Sequence, residues 1–477
     1  MDNIGKIASF GPGSEVRLTR GQFVFITILG IVLVVSGLLL RLSVLQYLQV
    51  FVGVCTAFFS SMFIFSLFTA TNGMREGSLI DVSSEEIENV LNSPSKLSRL
   101  PFVSVIVAAY KEAPVSEQLI ASLKALVYPM DKFEVLLVLE ERDLETIEAF
   151  NVPLPENWQV VIRPHGGVKT KPAAMNYLLK MGYVNQNGLT VVFDAEDKPA
   201  PYQMLEAVLG LRKARKMDKD IVCIQARLEF SQNATEGWLQ RMLNLDYLQH
   251  FGLILPGLSR AGFIAPLGGT SNYIITEVLL SVGGWDERNV TEDLNLAVML
   301  ARLGYGTRVL NSVTAEEAVT NITAFIAQRS RWIKGGIQTY FRHMRNPIGL
   351  YKDLGGLGFL SFQLVVGAPL VLYLINPLFW GLTFAYALTR SEFIQQLYPP
   401  LVFYAAMFSF SAGNFMYVYL LKTASFRTKQ FSGVVFAFFA PFYWLLLSLA
   451  GYKAFLEFIL SGEKAQTWSK TQHKGSK

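Results

Sequence analysis

Along the chain, apolar and charged positions separate into blocks. Five stretches contain no Asp, Glu, Lys or Arg: residues 21–40, 42–74, 354–389, 393–421 and 431–452. A helix needs roughly 20 mostly apolar residues to cross a bilayer. The first, second, fourth and fifth stretches each fit one span. The third holds Pro369 and Pro377 and predicts one interfacial or spanning helix, a break near Asn376-Pro377, then another span, for five to seven membrane helices in all, about six. A cleaved signal peptide does not fit the first stretch, because about twenty residues precede it and a second apolar run follows directly.

Between these groups the pattern changes period. Runs at 103–108 (VSVIVA), 135–139 (VLLVL), 158–163 and 189–193 (LTVVF) are short and mostly rich in β-branched residues, like buried parallel strands. Helical patterns at 116–127, 144–150 and from Pro172 alternate with them. This alternation predicts an α/β domain with a doubly wound sheet, whose ligands bind at the C-terminal ends of the strands. The run 230–260 mixes apolar and charged residues at helical spacing and predicts an amphipathic helix under the membrane.

The residues following these strands are strongly acidic. Tyr110 and Glu112 follow the first, Glu140 and Glu141 end the second, and Asp194, Glu196 and Asp197 follow the run at 189–193. Carboxylates this close repel one another unless a cation holds them, and hard oxygen ligands suit Mg²⁺ or Mn²⁺. Asp293, in Thr291-Glu292-Asp293, opens a helical run and has the character of a general base. Gln328, Arg331 and Trp332 lie at i, i+3 and i+4, on one helix face. Arginine can hold a diphosphate bidentately, and tryptophan offers a flat face to a sugar ring. The chain has no G-x-G-x-x-G and no Walker loop, which argues against a dinucleotide enzyme and a P-loop nucleotidase.

Composition narrows the class. Hydrophobic residues make up 51% and charged residues 17%, which excludes a disordered chain. The net charge of +5 suits anionic lipid or an anionic substrate and requires no nucleic acid. Cys55 and Cys223 fit no metal or redox spacing. Lys6, Arg17 and Arg20 precede the first apolar stretch, and only Arg41 separates it from the second. The positive-inside rule puts the N-terminus in the cytosol and returns the chain there after Met74. The basic tail also reads cytosolic, which requires an even number of spans after the central domain. Lys422, Arg427 and Lys429 form a basic loop that a six-helix count places outside, and this conflict stays open in the sequence.

Taken in order, the motifs resemble family-2 glycosyltransferases, in particular the membrane-embedded processive β-glycan synthases such as cellulose, hyaluronan and mannan synthases. Glu140-Glu141 stands at the family's early acidic pair and Asp194-Ala195-Glu196 at its D-x-D. Thr291-Glu292-Asp293 stands at T/S-E-D and Gln328-x-x-Arg331-Trp332 at Q-x-x-R-W. The run from Gly268 to Asn272 and the pair Lys334-Gly335 are also similar. Glu replaces Asp at both early positions and at the second D-x-D position, which keeps charge but lengthens reach.

The resemblance covers about residues 100–345. It implies a cytosolic GT-A α/β domain (a doubly wound mixed sheet) at 75–353. Two membrane helices would lie in 1–74, about four in 354–461, and a basic tail at 462–477 whose residues 468–473 are similar to a gating element. It further implies that Tyr110, Glu112, Glu140, Glu141 and Lys171 line the nucleotide, and that Asp194 and Glu196, with Asp197 as a further candidate, hold Mg²⁺ or Mn²⁺. Asp293, beside Glu292, would deprotonate the acceptor. Gln328 and Arg331 would grip the donor diphosphate. Trp332, Thr270, Ser271 and Asn272 would meet the acceptor.

The implied activity is inverting polymerisation of a nucleotide sugar, UDP-linked by family frequency, into a β-linked polysaccharide. The growing chain would pass out through the plasma-membrane helices, where aromatics such as Trp380 and Tyr404 could stack sugars. The implied partners are the donor, the growing chain and the bilayer, with accessory subunits open. The alternatives are a non-processive transferase acting on a polyprenyl phosphate or other lipid, and a non-enzymatic membrane transporter. Neither the sugar nor the linkage is legible.

Overall fold

The β-branched runs form one half of a mixed nine-stranded sheet, out to its edge. A computed structural model describes residues 13–14, 18–230, 236–431 and 433–460. The strands are β1 (Leu79–Ile80), β2 (Val103–Ala109), β3 (Phe133–Glu140), β4 (Trp158–Arg163), β5 (Leu189–Phe193), β6 (Lys198–Pro199), β7 (Ile221–Glu229), β8 (Asn272–Ile275) and β9 (Gly306–Ala315). Their order is β1-β9-β7-β8-β5-β2-β3-β4, with β6 paired to β9. β8 runs antiparallel between β5 and β7, and β6 is antiparallel to β9; the other pairs are parallel.

Alternate side chains feed two cores, as the period of two requires. Val105, Val107 and Val135 join one, while Ile106, Ala108 and Leu136 join the other. Every residue of β2, β5 and β7 is buried. Each such aliphatic side chain contributes about 1.5–3 kcal/mol, so the sheet is a stiff platform for the loops at its edge.

The helices that matter below are α1 (Arg20–Leu39), α2 (Val44–Met74), α3 (Lys171–Lys180), α4 (Trp238–Gln249), α5 (Glu292–Arg302), α6 (Ile322–His343), α7 (Pro347–Phe362), α8 (Ala368–Thr389), α9 (Pro400–Arg427) and α10 (Ala440–Leu460). Among the described residues five segments are long and apolar enough to span a membrane: Arg20–Gly37, Val44–Met74, Pro347–Thr389, Pro400–Arg427 and Val434–Leu460. Three of them follow the sheet domain.

The expected break at Asn376-Pro377 is absent. α8 runs through Pro377, and the non-helical residue is Gly355 within α7, at φ 67°. Proline is tolerated inside an apolar helix when its surroundings re-satisfy the freed backbone group. Glycine takes positive φ without steric cost. The two cysteines are buried and unbridged. The proposed gating element at 468–473 lies outside the described residues.

Candidate active site

Because β5, β2 and β3 are parallel neighbours, the acidic turns that follow them emerge at one edge of the sheet. Tyr110, Glu140, Glu141, Asp143, His165 and Lys169 line a cavity of about 290 Å³ there. Glu140 is held by a buried ion pair to Arg163 at 2.7 Å, as the register of β3 against β4 dictates. Glu141 accepts the His165 backbone N–H at 2.7 Å. Glu112 is buried behind the wall, with its backbone N–H donating to Thr146 Oγ1 at 3.0 Å, and does not line this cavity.

A second cluster lies beyond β5. Lys171 opens α3, whose N-cap is Thr170. Its ammonium donates to the Asp194 carboxylate and to the Gly269 carbonyl, the latter at 3.0 Å. Asp197 departs from the expectation of a metal ligand. Its turn folds back so that its carboxylate accepts the Thr270 hydroxyl and, at 2.7 Å, the Asp194 backbone N–H. Burial, reinforced by repulsion from Asp194 and Glu196, holds the Asp197 carboxyl well above the usual range. Among the described residues no three His, Cys, Asp or Glu side chains converge as a metal site. Asp194 and Glu196, both partly exposed, remain as hard oxygen donors.

Thr270, Ser271 and Asn272 also depart from expectation, for they are buried and bonded inward. The Thr270 hydroxyl reaches the Val192 carbonyl at 3.2 Å, and Ser271 Oγ lies 2.6 Å from Thr314 Oγ1. These bonds tie the start of β8 to β5 and to β9.

Glu292 and Asp293 begin α5. Asp293 Oδ1 accepts the Leu294 N–H at 2.8 Å. Gly269, at φ +79°, packs so close that a Cβ there would stand 3.2 Å from Asp293 Oδ2. Residue 269 therefore touches both Lys171 and Asp293. Burial, then repulsion from Asp293, pushes Glu292 up to about 8. Burial pushes Asp293 up to about 6, against the pull of the Leu294 N–H and Lys171. The environment thus splits the pair, with Glu292 favouring its proton and Asp293 the charge at neutral pH. Turnover is expected to rise with pH through about 6 as Asp293 ionises, and to fall above about 8 as Glu292 adds a second charge. A kcat/KM profile from pH 5 to 9 checks this, and a flat profile would exclude the pair as the titrating groups.

α6 brings Gln328 and Arg331 to the same place. Burial lowers the Arg331 pKa, while Asp194, Glu292 and Glu196 oppose it, so the guanidinium lies in the field of both acidic groups. Gln328 is buried. Trp332 is half-buried, and the Arg329 guanidinium lies 4.6 Å from its ring centroid, over one face. Arg329 also reaches Asp246 at 3.3 Å and the Tyr443 hydroxyl at 3.2 Å.

Glu316, directly after β9, escaped the sequence reading. Burial, Asp197, Asp194 and Glu196 all raise it, so it adjoins the acidic turn. Reading the residue after the strand at 306–315 would have found it.

The mixed, mostly parallel sheet has the GT-A fold. Residues 101–335 match the family described as glycosyltransferase like family 2. The chain is 28% identical to the beta-monoglucosyldiacylglycerol synthase of Synechocystis sp. over 60% of its own length and 59% of that protein. It is 29% identical to the probable glucomannan 4-beta-mannosyltransferase 1 of Arabidopsis thaliana over 52% of its length and 45% of that protein. The chain thus spans about half the length of these curated relatives. In structure it is similar to the mannosyltransferase PcManGT of Pyrobaculum calidifontis, solved with GDP-Man and Mn²⁺. The TM-score is 0.51 at 17% identity, covering 87% of this chain and 99% of that one. At that identity the likeness shows the fold.

Proposed function

We propose that this protein is an inverting glycosyltransferase that takes a sugar from a nucleoside-diphosphate donor and extends a β-linked glycan at the inner face of the membrane. The observation that carries this reading is the pair of buried Glu292 and half-buried Asp293, set beside Lys171, Asp194 and Arg331 at the strand ends. An acceptor hydroxyl is a weak nucleophile, and a placed carboxylate base accelerates its attack by roughly 10²–10⁴-fold. Asp293 takes that proton. Arg331 and Lys171 offset the charge that grows on the departing diphosphate. One displacement inverts the anomeric centre, so an α-linked donor yields a β-linked product.

Mg²⁺ or Mn²⁺ fits beside Asp194 and Glu196, whose mutual repulsion a cation relieves; bound there, it would supply charge neutralisation at the diphosphate. The nucleotide would lie in the cavity walled by Tyr110 and Glu141.

A second reading is transfer of a single sugar to a lipid. The Arg329 guanidinium over the Trp332 ring favours it, because it covers a face on which a sugar chain would stack. Similarity to a glycolipid synthase points the same way. Purified protein given UDP- and GDP-sugars with Mn²⁺ or Mg²⁺ separates the readings. Long polymer from one donor supports the first, a single-sugar lipid product supports the second, and no nucleotide release from any donor sinks both.

For the membrane we propose four crossings, by Arg20–Gly37, Val44–Met74, Pro347–Thr389 and Pro400–Arg427. Contacts at the helix ends support this. Gln22, at the start of α1, donates to the Phe341 carbonyl of α6 at 2.8 Å, and Arg427, at the end of α9, bonds the Gly73 carbonyl. At the far side Gln49 donates to the Gln396 carbonyl at 2.8 Å.

α10 follows α6 from end to end. Phe325 and Tyr443 lie 5.4 Å apart at one end, and Phe341 stacks on Phe458 at 5.7 Å at the other. α6 carries Arg329, Arg331, Lys334 and Arg342, a charge load that does not cross lipid. A helix laid along it stays at the interface. This arrangement brings the basic loop at Lys429 and the tail to the cytosolic side. A fluorescent protein fused after Lys477 is therefore expected to light up in the cytosol. An impermeant maleimide on intact cells is expected to label Gln395→Cys and spare Lys429→Cys. A dark fusion with an exterior C-terminus would require a fifth crossing.

A further inference from the structure

We infer that Lys171 occupies the cation position of the acidic turn until a donor diphosphate arrives, so that divalent metal and donor enter the site as coupled ligands. The inference rests on the donor and metal reading above and goes beyond it, because it assigns an order to the site.

The geometry is local and firm. Lys171 is the first residue of α3, capped by Thr170 and followed by Pro172, so its backbone has little freedom. Its ammonium, on a side chain 16% exposed, is bonded to Asp194 and to the Gly269 carbonyl at 3.0 Å. Glu292 and Asp197 add their field to that of Asp194 at the same nitrogen. The built-in charge therefore already neutralises Asp194, a partly exposed carboxylate of the turn. A divalent ion placed on Asp194 would stand beside this ammonium inside a partly dry site, where like charges repel strongly. Metal alone binds weakly for that reason.

A diphosphate changes the balance. The ammonium has three donors, and Asp194 and Gly269 account for two. Phosphate oxygens give Lys171 a new anion, and Asp194 becomes available to the metal. Such coupling is reciprocal: the donor raises metal affinity by the factor by which metal raises donor affinity.

The test is binding, read without turnover. Free Mn²⁺ is followed by electron paramagnetic resonance during titration of the full-length protein in detergent, alone and with UDP or GDP. In the wild-type protein the nucleotide is expected to tighten Mn²⁺ binding by at least about tenfold. Lys171→Met is expected to bind Mn²⁺ without nucleotide at least about tenfold more tightly than wild type, with the nucleotide effect reduced. Lys171→Arg, which keeps the charge, should retain weak binding of metal alone. The wild-type ratio stands whether or not Lys171→Met folds, and a ratio near one overturns the inference. Unchanged or weaker Mn²⁺ binding by folded Lys171→Met, with nucleotide-dependent binding intact in wild type, overturns the inference and leaves the proposed function standing. No Mn²⁺ binding by wild type with either nucleotide overturns both this inference and the metal assignment.

Discussion

Replacing Asp293 with Asn is expected to lower turnover by roughly 10²–10⁴-fold while leaving fold and donor binding in place. The amide has the same shape, and its oxygen can still accept the Leu294 N–H that the carboxylate accepts at 2.8 Å. What disappears is the basic charge beside the acceptor. Glu292 does not substitute for it, because burial keeps its proton on to about 8. Glu292→Gln is accordingly the milder change, since the protonated acid and the amide are both neutral at working pH. Nucleoside diphosphate release gives the rate, and calorimetric titration with donor gives the binding. An Asp293→Asn protein within tenfold of wild type would remove Asp293 from the role of base.

The second large effect comes from a glycine. A Cβ on residue 335 would lie 2.6 Å from the Thr291 backbone nitrogen and 2.4 Å from its hydroxyl oxygen. Real side chains do not approach this closely, so Gly335→Ala must push α6 away from the turn that carries Glu292 and Asp293. Arg331 sits one turn earlier on the same helix and moves with it. Overpacking of this kind costs about 1–3 kcal/mol. In a domain of this size that is a fall of several degrees in melting temperature. Misplacement of the guanidinium relative to the carboxylate pair is expected to cut kcat by more than about tenfold. The neighbouring Gly336→Ala is the control: its Cβ would meet only a Leu370 methyl, at 3.5 Å, an ordinary contact. If both variants behave alike, the close approach of α6 to Thr291 is not what shapes the site.

Two features of the motif region are thus explained by approach, not by chemistry. Gly335 follows Arg331-Trp332 because α6 passes over the Thr291 backbone. Gly269 precedes Thr270 because its carbonyl serves Lys171 while its missing side chain leaves room for Asp293.

Much of the domain was legible in local pattern. Short β-branched runs alternating with helical ones are a property of neighbouring residues, and β2, β3 and β5 lie where those runs are. The acidic residues at their ends follow from the same reading, since parallel strands deliver their C-termini to one edge. The apolar stretches are equally local, and each one forms helix.

Direction and pairing were decided by the tertiary structure. Asp194 and Asp197 are alike in sequence, yet the turn between them points one at Lys171 and buries the other on Thr270. The resemblance implied that Thr270, Ser271 and Asn272 meet the acceptor, but they lead into β8, which is threaded antiparallel into the sheet, and all three are buried. Glu316 joins the acidic turn only because β9 pairs antiparallel with β6, Ala315 against Lys198, far apart in sequence. Trp332 carries Arg329 on its face because α4 supplies Asp246 as a partner for that arginine. An apolar helix has the same composition whether it faces lipid or packs on other helices, so hydropathy alone does not show that α10 packs along both α6 and α8. Hydropathy and period are summed over nearest neighbours and survive in one dimension. A side chain's direction depends on which distant backbone packs against it, and that is settled only when the chain has folded.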